Sequence, residues 1–374
     1  LLLPQPNPVA AVQAAAMPIV KPLAELSDEE FQGVWKSMQI GTPEASSIQK
    51  EMFRRLMGDQ GLYNSRYRTN LNFKNLAAYI ESPEFVAHQR STKVYVGHNL
   101  SPDQAKLMAN QREPVNIAQG RGYNLPRAEK LLGYSTSFFE TQGRNLDSNA
   151  VVSVYSKTFL WDPPGGNIKK EVAVLSVYAP ALDSPQQPRF NHYIDGQPKE
   201  ENNRLNVAAY RAHMQEVAMT IVQAAIDNKD STRRVVIPLV GQSAFVSTLS
   251  GQGKQQAMQI FVETMAEALK QNAQALQGLP IVISEYSGQK GVQAAQNIAA
   301  ISRMPVGSIL GDIKTQSREG DLIVNAWDPH SAPGNGNDGD NSFDGQIGRS
   351  TGVLLTQTNW FNSQMNDEGA YRRI

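Results

Sequence analysis

From about Asn149 onwards, short apolar runs rich in Val and Ile alternate with longer segments in which apolar residues recur every three or four positions. The short runs have the composition of buried strands, and the longer spacing puts apolar residues on one face of a helix. Strands that alternate with helices form a sheet covered by helices on both faces. The sequence therefore predicts an α/β domain over residues 149–374. The predicted strands are 151–155, 172–179, 235–240, 281–286, 306–310 and 322–325, and the predicted helices are 204–227, 254–271 and 291–302.

The first part of the chain has a different pattern, which predicts a mainly helical module over residues 25–148. Ser27 and Glu30 have the spacing of a capping box ahead of the first helix, and one strand is predicted at 93–97. A chain of 374 residues has room for two units of this size. Residues 1–24 are predicted to be a linker because five prolines interrupt them: Pro4, Pro6, Pro8, Pro18 and Pro22.

Composition excludes several classes of function. Lys plus Arg and Asp plus Glu both number 35, so no global charge draws the chain to nucleic acid or to an anionic membrane. There is no cysteine, which excludes disulfides, thiolate zinc sites and a cysteine nucleophile. No apolar run reaches the length of a spanning helix. We expect a soluble protein, and we assume a monomer.

A glycine-rich, acidic segment directly follows the predicted strand 322–325 near the end of the chain. Ligands of open α/β sheets bind beyond the carboxyl ends of the strands, so this segment is placed to form a site. Its glycines would let backbone amides approach a pyrophosphate without a Cβ atom in the way. The informative stretches are 311–313, 320–329, 333–340 and 343–345, with glycines at Gly334, Gly336 and Gly339.

A second candidate segment follows the predicted strand 235–240. The strand leads into five mostly small residues and then into the helix predicted from Lys254. Strand, small loop and helix is an arrangement that binds phosphate. The five residues are Gly241, Gln242, Ser243, Ala244 and Phe245.

Gly-Asp-Ile at 311–313, Ile-Val-Asn-Ala at 323–326, a glycine-rich loop and Asp-Gly at 344–345 together resemble the ADP-ribose-binding signature of the macrodomain family. The resemblance implies that Asp312 binds the adenine amino group, with Ile313 beside it. It implies that Asn325 is the first asparagine of the family's Val-Asn-Ala-Ala-Asn run. Asp328 stands where the family has the second asparagine, which reaches the distal ribose.

The same resemblance implies a catalytic group. In hydrolases of the family, the aspartate of the final Asp-Gly lies near the anomeric carbon, and this position is Asp344. Residues 238–245 resemble the second phosphate loop, with Phe245 packed on the distal ribose. The implied catalytic candidates are Asp344, Asp328, Asp338 and Asp340. The implied ADP-ribose contacts are Asp312, Ile313, Asn325, Gly334, Gly336, Gly241, Gln242, Ser243, Ala244 and Phe245. Tyr286 is added as a stacking residue because it lies at the end of a predicted strand.

The two halves of the signature occur in the opposite order to that of ordinary macrodomains, which implies a circularly permuted, three-layer α/β/α fold with a mixed sheet. The resemblance says nothing about the helical module. A permuted macrodomain with an acidic loop and a helical extension is similar to Legionella-type secreted effectors. That similarity implies action in a host cytosol on an ADP-ribosylated protein as the partner. Ubiquitin is one candidate for this protein, and arginine is one candidate for the modified side chain.

Carboxylates stabilise the oxocarbenium-like state through which a glycosidic bond to ribose breaks, and they can activate water. The acidic segment therefore favours a hydrolase that removes ADP-ribose from protein and needs no cofactor. A reader that binds ADP-ribose without turnover, and a docking module with a vestigial pocket, remain alternatives. A divalent ion that assists the aspartates also remains open, although no metal ligand is assigned.

Other site patterns fail at the positions where geometry is strictest. An EF-hand loop that started at Asp338 would need glycine at Phe343 and glutamate at Arg349. A P-loop ending at Lys254 would need glycine at Thr248. His213 is expected on a helix surface, Trp327 is expected to pack in the core, and His330 is the one histidine near the acidic segment.

Overall fold

The computed structural model describes residues 21–57, 73–97, 100–110, 151–162, 168–187, 189–327, 333 and 343–374. Eight strands form one mixed sheet in the order β10-β1-β2-β3-β9-β6-β7-β8, and β4 pairs with β5 in a separate ribbon. The strands are β1 (Lys93–Val96), β2 (Val152–Trp161), β3 (Lys169–Val177), β4 (Ile194–Asp195), β5 (Arg204–Leu205), β6 (Arg234–Pro238), β7 (Ile281–Glu285), β8 (Val306–Leu310), β9 (Asp321–Ala326) and β10 (Tyr371–Arg373).

Twelve α-helices are present in the described part of the chain. They are α1 (Asp28–Ser37), α2 (Ala45–Met57), α3 (Phe73–Glu81), α4 (Pro83–Arg90), α5 (Pro102–Asn110), α6 (Phe190–Tyr193), α7 (Val207–Asp227), α8 (Gly251–Gln271), α9 (Lys290–Ser302), α10 (Ile313–Gln316), α11 (Phe343–Ser350) and α12 (Val353–Thr356).

The predicted α/β class is confirmed, and each predicted strand and helix of the second unit coincides with an observed one. Strands β3, β9, β6, β7 and β8 are parallel neighbours, so their carboxyl ends meet at one edge of the sheet. The largest difference from prediction is the length of β2, which extends well beyond 151–155. It is longer because it pairs with β3 in antiparallel register as far as Trp161 opposite Lys169.

Helices cover both faces of the parallel strands. On one face, α7, α8 and α9 pack on alternate strand residues such as Leu175, Val235 and Val324. On the other face, Val174, Val236 and Ile323 pack with residues of the three short helices α10, α11 and α12. Alternation of the side chains along each strand produces the two cores, as a sheet with helices on both faces requires.

The helical part of the chain is not a separate unit in the structure, which differs from the predicted division at residues 148 and 149. Strand β1 lies inside the eight-stranded sheet, between β10 and β2. The indole nitrogen of Trp35 on α1 donates a hydrogen bond to the Trp360 carbonyl. The first helices thus share a hydrophobic core with the second unit, formed by Phe31, Trp35, Met38, Ala45, Ile48, Met52, Tyr79, Ile80, Phe85, Phe159, Trp161, Leu355, Trp360 and Phe361.

Three local predictions have clear outcomes. The capping box is confirmed, because Glu30 N donates to Ser27 Oγ at 3.1 Å and Ser27 N donates to Glu30 Oε2 at 2.8 Å. Trp327 is 1% exposed and packs edge-on against Tyr178, as expected for a core residue. His213 is buried rather than on the helix surface, because its ring lies between the Tyr178 carbonyl and the Tyr193 hydroxyl.

No helix in the described ranges is long and apolar enough to cross a membrane. The predicted linker lies almost wholly outside the described residues, which begin at Lys21.

Candidate functional site

The carboxyl edge of the parallel strands brings together residues that lie far apart in sequence. Backbone hydrogen bonds continue past the strand ends: Gly311 N donates to the Glu285 carbonyl and Trp327 N to the Val177 carbonyl, both at 3.0 Å. Register places Ser176 beside Asn325, and Ser284 beside Pro238, along this edge. The segments that follow β6, β7, β8 and β9 therefore leave the sheet on the same side.

Asn325 and Asp344 form the centre of the site. Asn325 lies near the end of β9 and is fully buried, while Asp344 lies in the first turn of α11 and is 6% exposed. Asn325 Nδ2 donates to Asp344 Oδ1 at 2.8 Å. A carboxylate in the first turn of a helix also interacts favourably with the helix dipole. The two residues that the sequence singled out are therefore in direct contact.

A chain of buried polar side chains continues from this pair beneath the short helices. Asn325 Nδ2 also donates to Ser176 Oγ at 3.2 Å, and Ser176 Oγ donates to Gln357 Oε1 at 2.6 Å. Gln357 Nε2 donates to the Val174 carbonyl at 2.8 Å and to Ser156 Oγ at 3.1 Å. Ser156, Ser176, Asn325 and Gln357 are each 1% exposed or less, so water does not compete for these bonds.

The acceptors at the two ends of this series of hydrogen bonds, the Val174 carbonyl and the Asp344 carboxylate, decide which group donates at each step. The Val174 carbonyl can only accept, so the Gln357 amide must present its nitrogen there and its oxygen to Ser176. Ser176 donates its one proton to Gln357 and accepts from Asn325, whose second proton goes to Asp344. If the Asn325 amide were flipped, its oxygen would face the Asp344 carboxylate, and two acceptors cannot form a hydrogen bond. The chain thus holds a donor against Asp344.

The oxygen of the same amide has a different environment. Asn325 Oδ1 is buried and accepts no hydrogen bond from the residues that the structure describes. A buried acceptor without a donor costs free energy, about 1–3 kcal/mol. The arrangement therefore favours a ligand or water that donates a hydrogen bond at this point.

Asp312 is held by the turn that it starts. Its Oδ1 accepts from Lys314 N at 2.9 Å, which caps α10, and its Oδ2 lies 2.9 Å from Lys314 Nζ. About a third of its side chain is exposed, so a ligand amino group can still reach it. Ile313, predicted as an ADP-ribose contact, instead points its side chain into the core with Val236 and Ile323, and is 1% exposed.

The loop after β6 is built around Gly241. Its φ is +73°, and a Cβ atom there would lie 2.5 Å from Ala179 Cβ and 2.9 Å from the Tyr210 hydroxyl. Glycine is therefore required by close packing at this position as well as by the backbone. Gln242 Nε2 donates to the Ala257 carbonyl at 3.2 Å, which ties the loop to α8.

The rest of this loop is accessible. Ser243 and Ala244 are exposed, and Phe245 is half-buried. A 3₁₀ turn (Ala244–Val246) separates the loop from α8, and Ser250 caps that helix by accepting from Gly253 N at 3.1 Å. The helix begins at Gly251, three residues before the predicted start at Lys254, and the 3₁₀ turn still separates its first amides from Gly241.

Tyr286 follows β7 at the same edge and is 55% exposed, which leaves its ring open to a stacking ligand. Glu285, just before it, turns back and accepts from Gly291 N at 2.6 Å. That contact fills the first turn of α9 with a carboxylate of the chain itself. Glu285 therefore shapes the loop that carries Tyr286.

Five predicted site residues lie outside the described residues: Asp328, Gly334, Gly336, Asp338 and Asp340. Among the residues that are described, no group of three or more His, Asp or Glu side chains is close enough to hold a metal ion. The described part of the site thus consists of Asp344, Asn325, Asp312, Tyr286 and the 241–245 loop.

Ser176 and Gln357 are the site-associated residues that the sequence reasoning missed. A serine inside the apolar run 172–179 is the one local signal, since a buried hydroxyl must find a partner. Nothing near Gln357 in the sequence links it to strand β3. No known protein family matches this chain, and no curated protein matches it.

Proposed function

We propose that this protein is a hydrolase that removes ADP-ribose from mono-ADP-ribosylated protein, on a circularly permuted macrodomain-like fold. The observation that carries the proposal is the contact between Asn325 and Asp344 at the carboxyl edge of the sheet. The resemblance assigned these two residues to one ADP-ribose site, although 18 residues separate them in the sequence. Their contact supports that assignment.

The position of the other predicted segments supports the permuted order. Asp312 follows β8, Tyr286 follows β7 and Gly241 follows β6, and the three strands are parallel neighbours. A bound nucleotide along this edge would meet the partly exposed carboxylate of Asp312, the exposed ring of Tyr286 and a small loop in turn. Such an edge is where open α/β sheets bind their ligands.

Asp344 is the proposed catalytic residue. Its carboxylate would stabilise the positive charge that develops at the anomeric carbon, or accept a proton from the attacking water. The donor from Asn325 holds the Asp344 carboxylate in place through its Oδ1 atom. Asp328, Asp338 and Asp340 are proposed to add negative charge from the adjoining segment.

The proposal is tested with Asp344→Asn, which keeps the shape and removes the charge. We expect release of ADP-ribose from a mono-ADP-ribosylated protein to fall about 100-fold or more. The Kd for free ADP-ribose, measured by calorimetry, should change much less. Asp230→Asn removes an exposed carboxylate more than 100 residues before Asp344 in the sequence. This variant serves as the control, and we expect it to keep full activity. Equal activity of Asp344→Asn and wild type would exclude the catalytic role.

A reader that binds without turnover is the second candidate, favoured by the burial of Asp344, which is 6% exposed. The same experiment separates the two. Binding of ADP-ribose near one molar equivalent, with no release by wild-type protein in the presence or absence of added Mg²⁺, would establish the reader. An absence of binding would leave the docking module.

The effector resemblance is the sole basis on which the protein partner, and the host cytosol as the place of action, are proposed. We propose a modified host protein, with ubiquitin and an ADP-ribosylated arginine as the first candidates to assay. Repeating the assay with a chelator tests whether a divalent ion assists the aspartates.

A further inference from the structure

A groove of about 840 Å³ lies between helices α8 and α9. It starts at Gln242 and Ser243 in the proposed phosphate loop and follows both helices away from the carboxyl edge of the sheet. Its size is in the range of ligand-binding pockets. Because it shares two residues with the proposed ADP-ribose site, whatever occupies the groove lies next to that site.

The groove has an apolar floor and amide-rich walls. Val246, Met258, Val262 and Ala294 form apolar parts of its lining, and Ile301, at its far end, is 44% exposed. Amide side chains both donate and accept hydrogen bonds, as a peptide backbone does. Among the described residues that line the groove, none is an aromatic residue on which bases would stack. These features favour a peptide over a nucleic acid. The lining amides are Gln242, Gln255, Gln259, Gln293 and Asn297.

The charge of the groove is positive. Lys254 lies in the first turn of α8 and Lys290 begins α9; both are exposed, and neither has an ion-pair or hydrogen-bond partner in the described part of the chain. Glu263, the one carboxylate among the described lining residues, is paired with Arg211 and also accepts a hydrogen bond from Gln259. The hydrogen bond from Arg211 lowers the pKa of Glu263, so its charge is already compensated. Two lysines remain uncompensated at the end nearest the site.

The length of the groove sets the length of its occupant. Helix α9 advances about 16 Å between Lys290 and Ile301. An extended peptide covers that distance with about five residues.

We propose that this groove binds an acidic segment of the ADP-ribosylated protein, next to the modified side chain. Acidic residues of the segment meet Lys254 and Lys290 at the mouth, and apolar residues further along pack on Met258 and Val262. The inference rests on the proposed function, because it places the substrate protein relative to the ADP-ribose site. It adds that the protein recognises sequence around the modification.

Three synthetic peptides test the inference, each with one ADP-ribosylated arginine followed by five residues. The first carries glutamates near the arginine, the second has glutamines there, and the third has lysines. For wild-type protein we expect kcat/KM and affinity to favour the glutamate peptide over its glutamine twin about five-fold, since two exposed ion pairs differ. The preference should shrink as salt is raised, because the charges are exposed.

The variant K254E/K290E should lose this preference and favour the lysine peptide. The ratio between peptides is the readout, so any general effect of the substitutions on ADP-ribose binding cancels. K36E/K270E makes the same change of net charge on exposed lysines outside the groove, and should keep the wild-type ratio.

The outcomes separate this inference from the proposed function. If no peptide is hydrolysed but the glutamate peptide still binds more tightly, hydrolysis of the arginine linkage is excluded and the docking groove stands. If hydrolysis occurs with equal kcat/KM and Kd for all three peptides, the groove does not read acidic sequence and the inference is wrong. The same ratio in K254E/K290E as in wild type would also overturn it. Self-association that depends on Lys254 and Lys290 and leaves peptide ratios equal would assign the groove to a second copy of the chain instead.

Discussion

At the scale of single residues, the structure explains why Asp344 sits where it does. Its contact with Asn325 depends on Ser176 and Gln357, which orient the amide although neither is close to Asp344 in sequence. Gln357 sets the direction of these hydrogen bonds, because its amide nitrogen donates to the Val174 carbonyl. Removing that amide frees Ser176 and Asn325 to reorient.

Gln357→Met, which keeps the volume and removes the hydrogen bonds, should lower the free energy of unfolding by about 2 kcal/mol, since buried partners are left unsatisfied. If Asp344 is catalytic, its misplacement should also lower kcat about ten-fold while KM changes little. Urea unfolding and steady-state kinetics measure both. Thr264→Val removes a buried hydroxyl on α8 that bonds only within its helix, and should leave kcat unchanged. An equal kcat in the two variants would assign Gln357 to stability alone.

At the scale of elements, the two halves of the predicted site are joined where β6 meets β9. These strands are neighbours, and Arg234 and Asp321 face each other at their first residues. Arg234 binds both carboxylate oxygens of Asp321, at 2.6 and 3.1 Å, and both side chains are nearly buried. Asp321 also accepts from Arg318 N at 2.8 Å. The pair therefore fixes the register of the two strands and the turn between α10 and β9.

Breaking this pair from one side should be more damaging than removing it whole. Arg234→Met and Asp321→Leu should each lower the free energy of unfolding by about 3–5 kcal/mol, because each leaves a buried charge without its partner. The free energy of unfolding of the double variant should fall by clearly less than the sum of the two single-variant losses. A double-mutant cycle from denaturant unfolding measures the coupling. Additive effects would show that the strands hold their register without the pair.

The sequence predicted elements better than it predicted contacts. Strand 306–310 was predicted with its observed bounds, because β-branched runs and turn residues are local signals. The three residues of β10 have no such signal, and they form a strand only because β1 offers an edge. Ile313 was predicted as a ligand contact, but its side chain is apolar and the core beneath it is the stronger attraction. The role of Gln357 depends on tertiary contacts alone and could not be predicted.

At the scale of the whole molecule, the first helices complete the core of the α/β part. Tyr79 on α3 packs against Gly352, where a Cβ atom would meet its ring, and Gly352 lies between α11, which carries Asp344, and α12. Gln89 on α4 donates to the Phe361 carbonyl at 2.7 Å. The helices that hold the catalytic candidate are thus held in turn by the first part of the chain.

Residues 149–374 expressed alone should therefore fail to form a stable domain. Deleting the first part uncovers Phe159, Trp161, Leu355, Trp360 and Phe361, and leaves β2 as an open edge without β1. Exposed apolar surface and an unpaired edge lead to aggregation. We expect the fragment to be insoluble, or to bind a hydrophobic dye and unfold without a cooperative transition, whereas the full chain should unfold cooperatively. A cooperative fragment that binds ADP-ribose would instead restore the predicted division at residue 149, and would mean that the shared core is an interface between two independent units.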